Sequence, residues 1–116
     1  MYQVNFSNQA MGALNKLDKI EQLELIDMLG SIDIDKLSKD KTGIFGKFKR
    51  SGKEFYRLRA GDYRIYFELN DGTIFAHYLL NQHTLADFVF RFKLPYKEET
   101  MIEQTDHFWT YIDSLK

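Results

Sequence analysis

Between Phe55 and Leu80 the chain reads FYRLRAGDYRIYFELNDGTIFAHYLL, and no other stretch constrains the fold as much. Three runs rich in β-branched and aromatic residues are separated by Gly61-Asp62 and Asp71-Gly72. Asp-Gly between two such runs favours a type I′ turn, whose backbone twist matches that of the strands it joins. The pattern predicts strands at about Phe55–Ala60, Tyr63–Asn70 and Thr73–Leu80, joined as a meander.

Side chains alternate across a sheet, so the turns also decide which residues share a face. A two-residue turn at Gly61-Asp62 sets Ala60 opposite Tyr63, Arg59 opposite Arg64, Leu58 opposite Ile65, Arg57 opposite Tyr66 and Phe55 opposite Glu68. A turn at Asp71-Gly72 pairs Asn70 with Thr73, Glu68 with Phe75, Tyr66 with His77 and Arg64 with Leu79. One face then carries Tyr56, Leu58, Tyr63, Ile65, Phe67, Leu69, Ile74, Ala76, Tyr78 and Leu80, a surface to receive helices. The other carries Phe55, Arg57, Arg59, Arg64, Tyr66, Glu68, Phe75 and His77, and is expected to stay open.

Helices to cover the apolar face precede the meander. Tyr2, Val4 and Phe6 alternate as a half-buried strand, and Ser7 or Asn8 can cap a short helix carrying Ala10, Met11, Leu14 and Leu17. Asp18 and Glu21 have capping-box spacing. They open a second helix with an apolar stripe at Ile20, Leu23, Ile26 and Leu29, beside Leu25 and Met28, which Gly30 ends. Phe45 and Phe48 mark a further strand and loop. Thr84–Phe92 reads equally as a short helix or a last strand. After Pro95, the residues Met101, Ile102, Phe108, Trp109, Ile112 and Leu115 predict one amphipathic helix in which Trp109 packs. The order of elements gives an α+β fold, with helices on one face of the sheet.

The 116 residues, 44% hydrophobic with one Pro and seven Gly, suit a single domain with one core. The absence of cysteine excludes disulfides, thiolate metal sites and a Cys nucleophile, and fits a reducing, cytoplasmic setting. Met1–Ala10 lacks the basic start and apolar run of a signal peptide, and no run is long enough to span a membrane. The three His are dispersed, without metal-ligand spacing, so neither metal nor cofactor is expected.

The net charge of -1 hides a strong asymmetry. From Asp18 to Asp35 six acidic side chains face Lys19 alone, whereas from Lys36 to Arg64 ten basic residues face three acids. A basic block of this kind is either a solvated surface or an anion-binding one. Like charges facing each other across a sheet destabilise it, so Arg57, Arg59 and Arg64 are either screened, neutralised by Glu68 and nearby acids, or hold an anion. Guanidinium groups suit phosphate oxygens, and Tyr66 and His77 beside them can hydrogen-bond, stack or move a proton. His83 lies just past the third strand.

The run YRLRAGDYRIYFEL, its following Asp-Gly turn and the lead-in YQVNFSNQAMGALNKLD resemble the RelE/ParE superfamily of toxin–antitoxin toxins, over about Tyr2–Arg91. The resemblance implies a toxin domain at 1–95, with 96–116 a C-terminal helical extension of the same domain. It implies a cognate antitoxin as partner and, for a RelE-like member, ribosome-dependent, metal-independent cleavage of mRNA. Arg57 and Arg64 match basic residues of that site and Arg59 a frequently basic neighbour. Phe88 and Phe90 stand near where the family places a tyrosine, leaving His83, His77 or Tyr66 as acid or base. Lys47, Lys49, Arg50 and Lys53 are expected to contact RNA. The alternative is a non-catalytic binding protein on the same fold, a gyrase inhibitor or a non-toxic relative. The extra helix is expected to cover the sheet, fill the antitoxin's place or make a homodimer.

Overall fold

The computed structural model describes residues 2–37, Lys39, 44–92 and 99–115. The 95/96 boundary, Pro95, and Asp40 and Lys41 of the basic run lie outside these residues. The chain opens with strand β1 (Gln3–Phe6) and helices α1 (Asn8–Asn15), α2 (Lys19–Gly30) and α3 (Ile34–Leu37). Strands β2 (Phe45–Arg50), β3 (Lys53–Ala60), β4 (Tyr63–Asn70) and β5 (Thr73–Asn81) follow, then α4 (His83–Phe92), α5 (Glu99–Glu103) and α6 (Asp106–Ser114). The five strands form one sheet in the order β1-β5-β4-β3-β2, with β1 parallel to β5 and the meander antiparallel. No described helix is long and apolar enough to cross a membrane.

Local chemistry accounts for the boundaries. Ser7 Oγ accepts from the amide of Ala10 and Asp18 Oδ1 from that of Glu21, so each side chain satisfies a first-turn donor of its helix. Asp71 and Gly72 both hold positive φ, 46° and 78°, as a type I′ turn requires. Ser51 and Gly52, at 54° and 79°, repeat this between β2 and β3.

The β3–β4 register is the expected one, from Ala60 opposite Tyr63 through Arg59 opposite Arg64 to Arg57 opposite Tyr66. The β4–β5 register begins as expected, with Asn70 opposite Thr73 and Glu68 opposite Phe75, and then slips. Tyr66 pairs with Tyr78 and Arg64 with Leu80, not with His77 and Leu79, because a β-bulge leaves His77 between the Ala76 and Tyr78 pairs. One extra residue inverts every later side chain of the strand. Tyr78 and Leu80 therefore join the face of Tyr66, and Leu79 joins the core beneath α1 and α2.

A second difference concerns the layers. One core lies between the sheet and α1–α2, built on Ala10, Leu14, Leu25, Leu29, Leu58, Ile65, Phe67, Ile74 and Ala76. The opposite face is not open. Leu85 and Phe88 of α4, Ile102 of α5, and Phe108, Trp109 and Ile112 of α6 close over Phe48, Phe55, Tyr66 and Leu80 as a second core. The single helix expected after Pro95 is two, with Gln104-Thr105 between them. The undecided segment at Thr84–Phe92 is helical. The α2 stripe is also displaced, since Leu25 and Leu29 are buried while Ile20 is 71% exposed and Leu23 61%. This helix is apolar on several sides, so periodicity alone does not select its inner face.

Candidate functional site

Arg57 leaves β3 on the covered face, directly opposite Gly46 of β2. A Cβ on Gly46 would collide with the guanidinium, so a glycine is what lets Arg57 lie flat over the neighbouring strand. Arg57 Nη1 donates to Glu103 Oε1 at 2.6 Å, and the two side chains are 6% and 0% exposed. Glu103 is held in turn by α6, because Trp109 Nε1 donates to its backbone carbonyl at 2.7 Å. An ion pair this dry stands only while both partners remain, since either charge alone would be buried uncompensated. Arg57 thus lies beneath the cap rather than on an accessible surface. Tyr66, equally buried, packs edge-on to Trp109 and Phe48. Both are buried, which corrects the expectation of an open patch containing both.

The cap divides the polar face into two ends. At the Gly61 end, Arg59 and Arg64 are cross-strand partners, Arg59 exposed and Arg64 half-buried. Arg64 Nη1 donates to the Gln82 carbonyl at 3.1 Å, the oxygen of the peptide that links Gln82 to His83. Gln82 is fixed to the β3–β4 turn by its amide, which donates to Asp62 O at 2.7 Å, and by its side chain, which donates to Asp62 Oδ1 at 3.2 Å. Asn81 Oδ1 accepts from the His83 amide at 3.0 Å where α4 begins. The β5–α4 junction, where α4 begins at an exposed His83, is thus tied to Arg64 through the Gln82 carbonyl.

At the opposite end, His77 Nε2 lies 2.9 Å from Glu68 Oε1, with the ring against Phe75 and Phe55 at centroid distances of 4.6 and 5.1 Å. Burial pushes the His77 pKa below the ordinary 6.5; Glu68 opposes this, and the Arg50 and Lys53 charges add to it. Arg50 stacks over Trp109 at 4.9 Å and donates to the Tyr78 hydroxyl, which donates to Asp113 of α6.

The basic segment is therefore split between faces. Arg50 and Lys53 pair at the end of the β2–β3 hairpin on the side of the cap. Lys47 lies over Tyr56 on the other side and 3.7 Å from Glu54, and Lys49 is exposed. Of the six residues expected to act together, Arg59 and Arg64 pair at one end, with His83 at the adjoining β5–α4 junction, His77 sits at the other, and Arg57 and Tyr66 are buried between them. Sequence reasoning missed Glu103, Gly46 and Gln82. The one signal for Glu103 was three clustered arginines that needed an acid; its place beside Ile102 in an apolar-patterned segment gave no hint of its partner.

The fold defines a small α+β domain whose sheet is covered on both faces, with a basic cluster at a hairpin end. No protein-family model matches the chain, and no curated protein matches it significantly. Among solved structures it is similar to a chain of the archaeal RelE–RelB complex from Pyrococcus horikoshii OT3, at 25% identity and a TM-score of 0.49 over 70% of this chain and 94% of that one. It is similar also to a chain of the toxin–antitoxin complex RelBE2 from Mycobacterium tuberculosis, at 20% identity and 0.47 over 69% and 96%. A third likeness is to YafQ from E. coli, at 13% identity and 0.43 over 73% and 98%.

Proposed function

We propose that the chain is a RelE-like toxin of a toxin–antitoxin pair and that it cleaves mRNA through the Arg59, Arg64 and His83 end of its sheet. The observation that carries this reading is the bond from Arg64 to the Gln82 carbonyl, which ties a cross-strand arginine pair to the junction where an exposed His83 begins α4. Two guanidinium groups supply forked donors for the non-bridging oxygens of a phosphodiester. An imidazole can take the 2′-hydroxyl proton as O2′ bonds to phosphorus, then return it to the 5′-oxygen as the P–O5′ bond breaks. Charge stabilisation by one such donor is worth about 2.7–4 kcal/mol of barrier. The cognate antitoxin would cover this end, and the ribosome would present the mRNA. Residues 1–95 form the toxin domain in this reading, with 96–116 an extension of it.

A second reading, a binding protein without cleavage, is favoured by the Arg57–Glu103 pair, which withholds from solvent one of the two arginines that the resemblance matches to the site. Inducible expression in a bacterial host separates the two. The intact chain, Arg59→Ala/Arg64→Ala and His83→Gln are compared by growth and by mRNA 5′ ends. Growth arrest with new, translation-dependent 5′ ends that disappear in both variants supports the nuclease. Arrest without cleavage supports binding to another target. Normal growth with intact mRNA at confirmed soluble expression overturns the toxin.

A further inference from the structure

We propose that the other end of the capped face is a phosphate-binding site, in which Arg50 and Lys53 hold the anion and His77, oriented by Glu68, donates to it as imidazolium. The residues come from four strands, and Arg50 donates to the hydroxyl of Tyr78, the neighbour of His77 in β5. Arg50 of β2 and Lys53 of β3 are partners across the Ser51-Gly52 turn. Glu68 of β4 faces Phe75 of β5, and the bulge at His77 turns that ring onto Glu68, Phe55 and Phe75. A bulge gives up regular ladder pairing, and such irregularities are favoured where a side chain must be re-aimed.

The charges around His77 are mutually opposed while no anion is bound. Burial, Arg50 and Lys53 disfavour the imidazolium and Glu68 favours it, with burial the largest of these effects. From α6, Asp113 is engaged by the Tyr78 hydroxyl, and the hydroxyl of Ser7, which caps α1, donates to the His77 carbonyl, not to the ring. A phosphate between the two cations cancels their effect on His77, so binding draws a proton onto the ring. Affinity for the anion therefore rises as pH falls through the range in which the bound-state imidazole titrates. Phe75, half-buried against His77, offers a ring edge to a nucleobase attached to that phosphate. That the phosphate belongs to single-stranded RNA rests on the reading above; the anion site itself does not.

The test is an NMR titration of the His77 ring in the intact protein, with inorganic phosphate and separately with a short single-stranded oligoribonucleotide. Both are expected to raise the His77 pKa, the oligoribonucleotide at lower concentration. Lys53→Ala, an exposed substitution, is expected to weaken the phosphate response about tenfold, the loss of one charge-assisted contact. Glu68→Gln should leave the fold intact and lower the starting pKa. A response to phosphate alone supports the site with the free anion as its ligand. A His77 ring that titrates identically with and without either probe overturns the proposal, as does an undiminished response in Lys53→Ala. Arg59→Ala/Arg64→Ala keeps the His77 response whether or not RNA cleavage occurs, so failure of the nuclease reading is seen separately.

Discussion

Arg57 and Glu103, 46 positions apart in sequence, form a buried ion pair at 2.6 Å that fastens the C-terminal cap to the sheet. Removing one partner strands the other's charge. Glu103→Ala is expected to cost about 3–5 kcal/mol, read as a lower urea midpoint. Replacing both residues by apolar ones, Arg57→Met with Glu103→Leu, should cost far less than either single truncation. A neutral Glu103→Ala would show that the pair is hydrated in solution.

Gly46 makes room for that guanidinium. Gly46→Ala places a methyl group where the Arg57 side chain lies, and overpacking of this kind costs about 1–3 kcal/mol. Most of the loss should vanish when Arg57→Ala is also present. Measured as a double-mutant cycle, the coupling should be at least about 0.5 kcal/mol; strict additivity would place the strain elsewhere.

Trp109 is the one tryptophan in the sequence and is buried against Phe48, Tyr78 and Arg50. Trp109→Ala should destabilise by about 3–5 kcal/mol through the cavity it leaves. Trp109→Phe keeps most of the ring but loses the donor to the Glu103 carbonyl, an expected cost of about 1–3 kcal/mol. In the unaltered protein its fluorescence should be blue-shifted and slow to quench with iodide; a red-shifted native spectrum would mean that the cap is not closed.

His77 makes stability depend on pH in a defined direction. Its pKa is lowered in the folded chain, so the unfolded chain binds the proton more readily. Its contribution is fully kept above the ordinary value of 6.5 and is lost as pH falls from there toward the folded value. His77→Gln should flatten the fall in urea midpoint between about pH 7.5 and 5.5. An unchanged slope would assign the pH dependence to other groups.

The meander shows how far local sequence reaches. Asp71-Gly72 fixed one turn and Gly61-Asp62 the other, because few residue types tolerate the backbone those turns need, and each turn fixes its nearby pairs. The pairs from Ala60–Tyr63 to Arg57–Tyr66 and from Asn70–Thr73 to Glu68–Phe75 follow directly. The bulge at His77 carried no such mark. Alternation across Ala76, His77 and Tyr78 fits a regular strand as well as a bulged one, and the difference lies in what Leu79 and Leu80 find to pack on.

The candidate site divides along the same line. Arg59 and Arg64 were placed together by turn geometry alone, and His83 by its position at the end of β5. The Gln82 carbonyl that accepts from Arg64, and the Asp62 that holds Gln82, depend on where the chain turns into α4.

What the sequence determined by itself was the meander, its turns, the helix cap at Asp18 and the shared face of the arginines, each a matter of backbone chemistry within a few residues. What only the tertiary structure decided was the fate of that face. Glu103, Ile102 and Trp109 return from the far end of the chain to bury Arg57 and Tyr66, and this separates two polar ends that the strand pattern had joined. Long-range burial depends on which apolar surfaces remain uncovered after the first core has formed, and no local pattern encodes that choice.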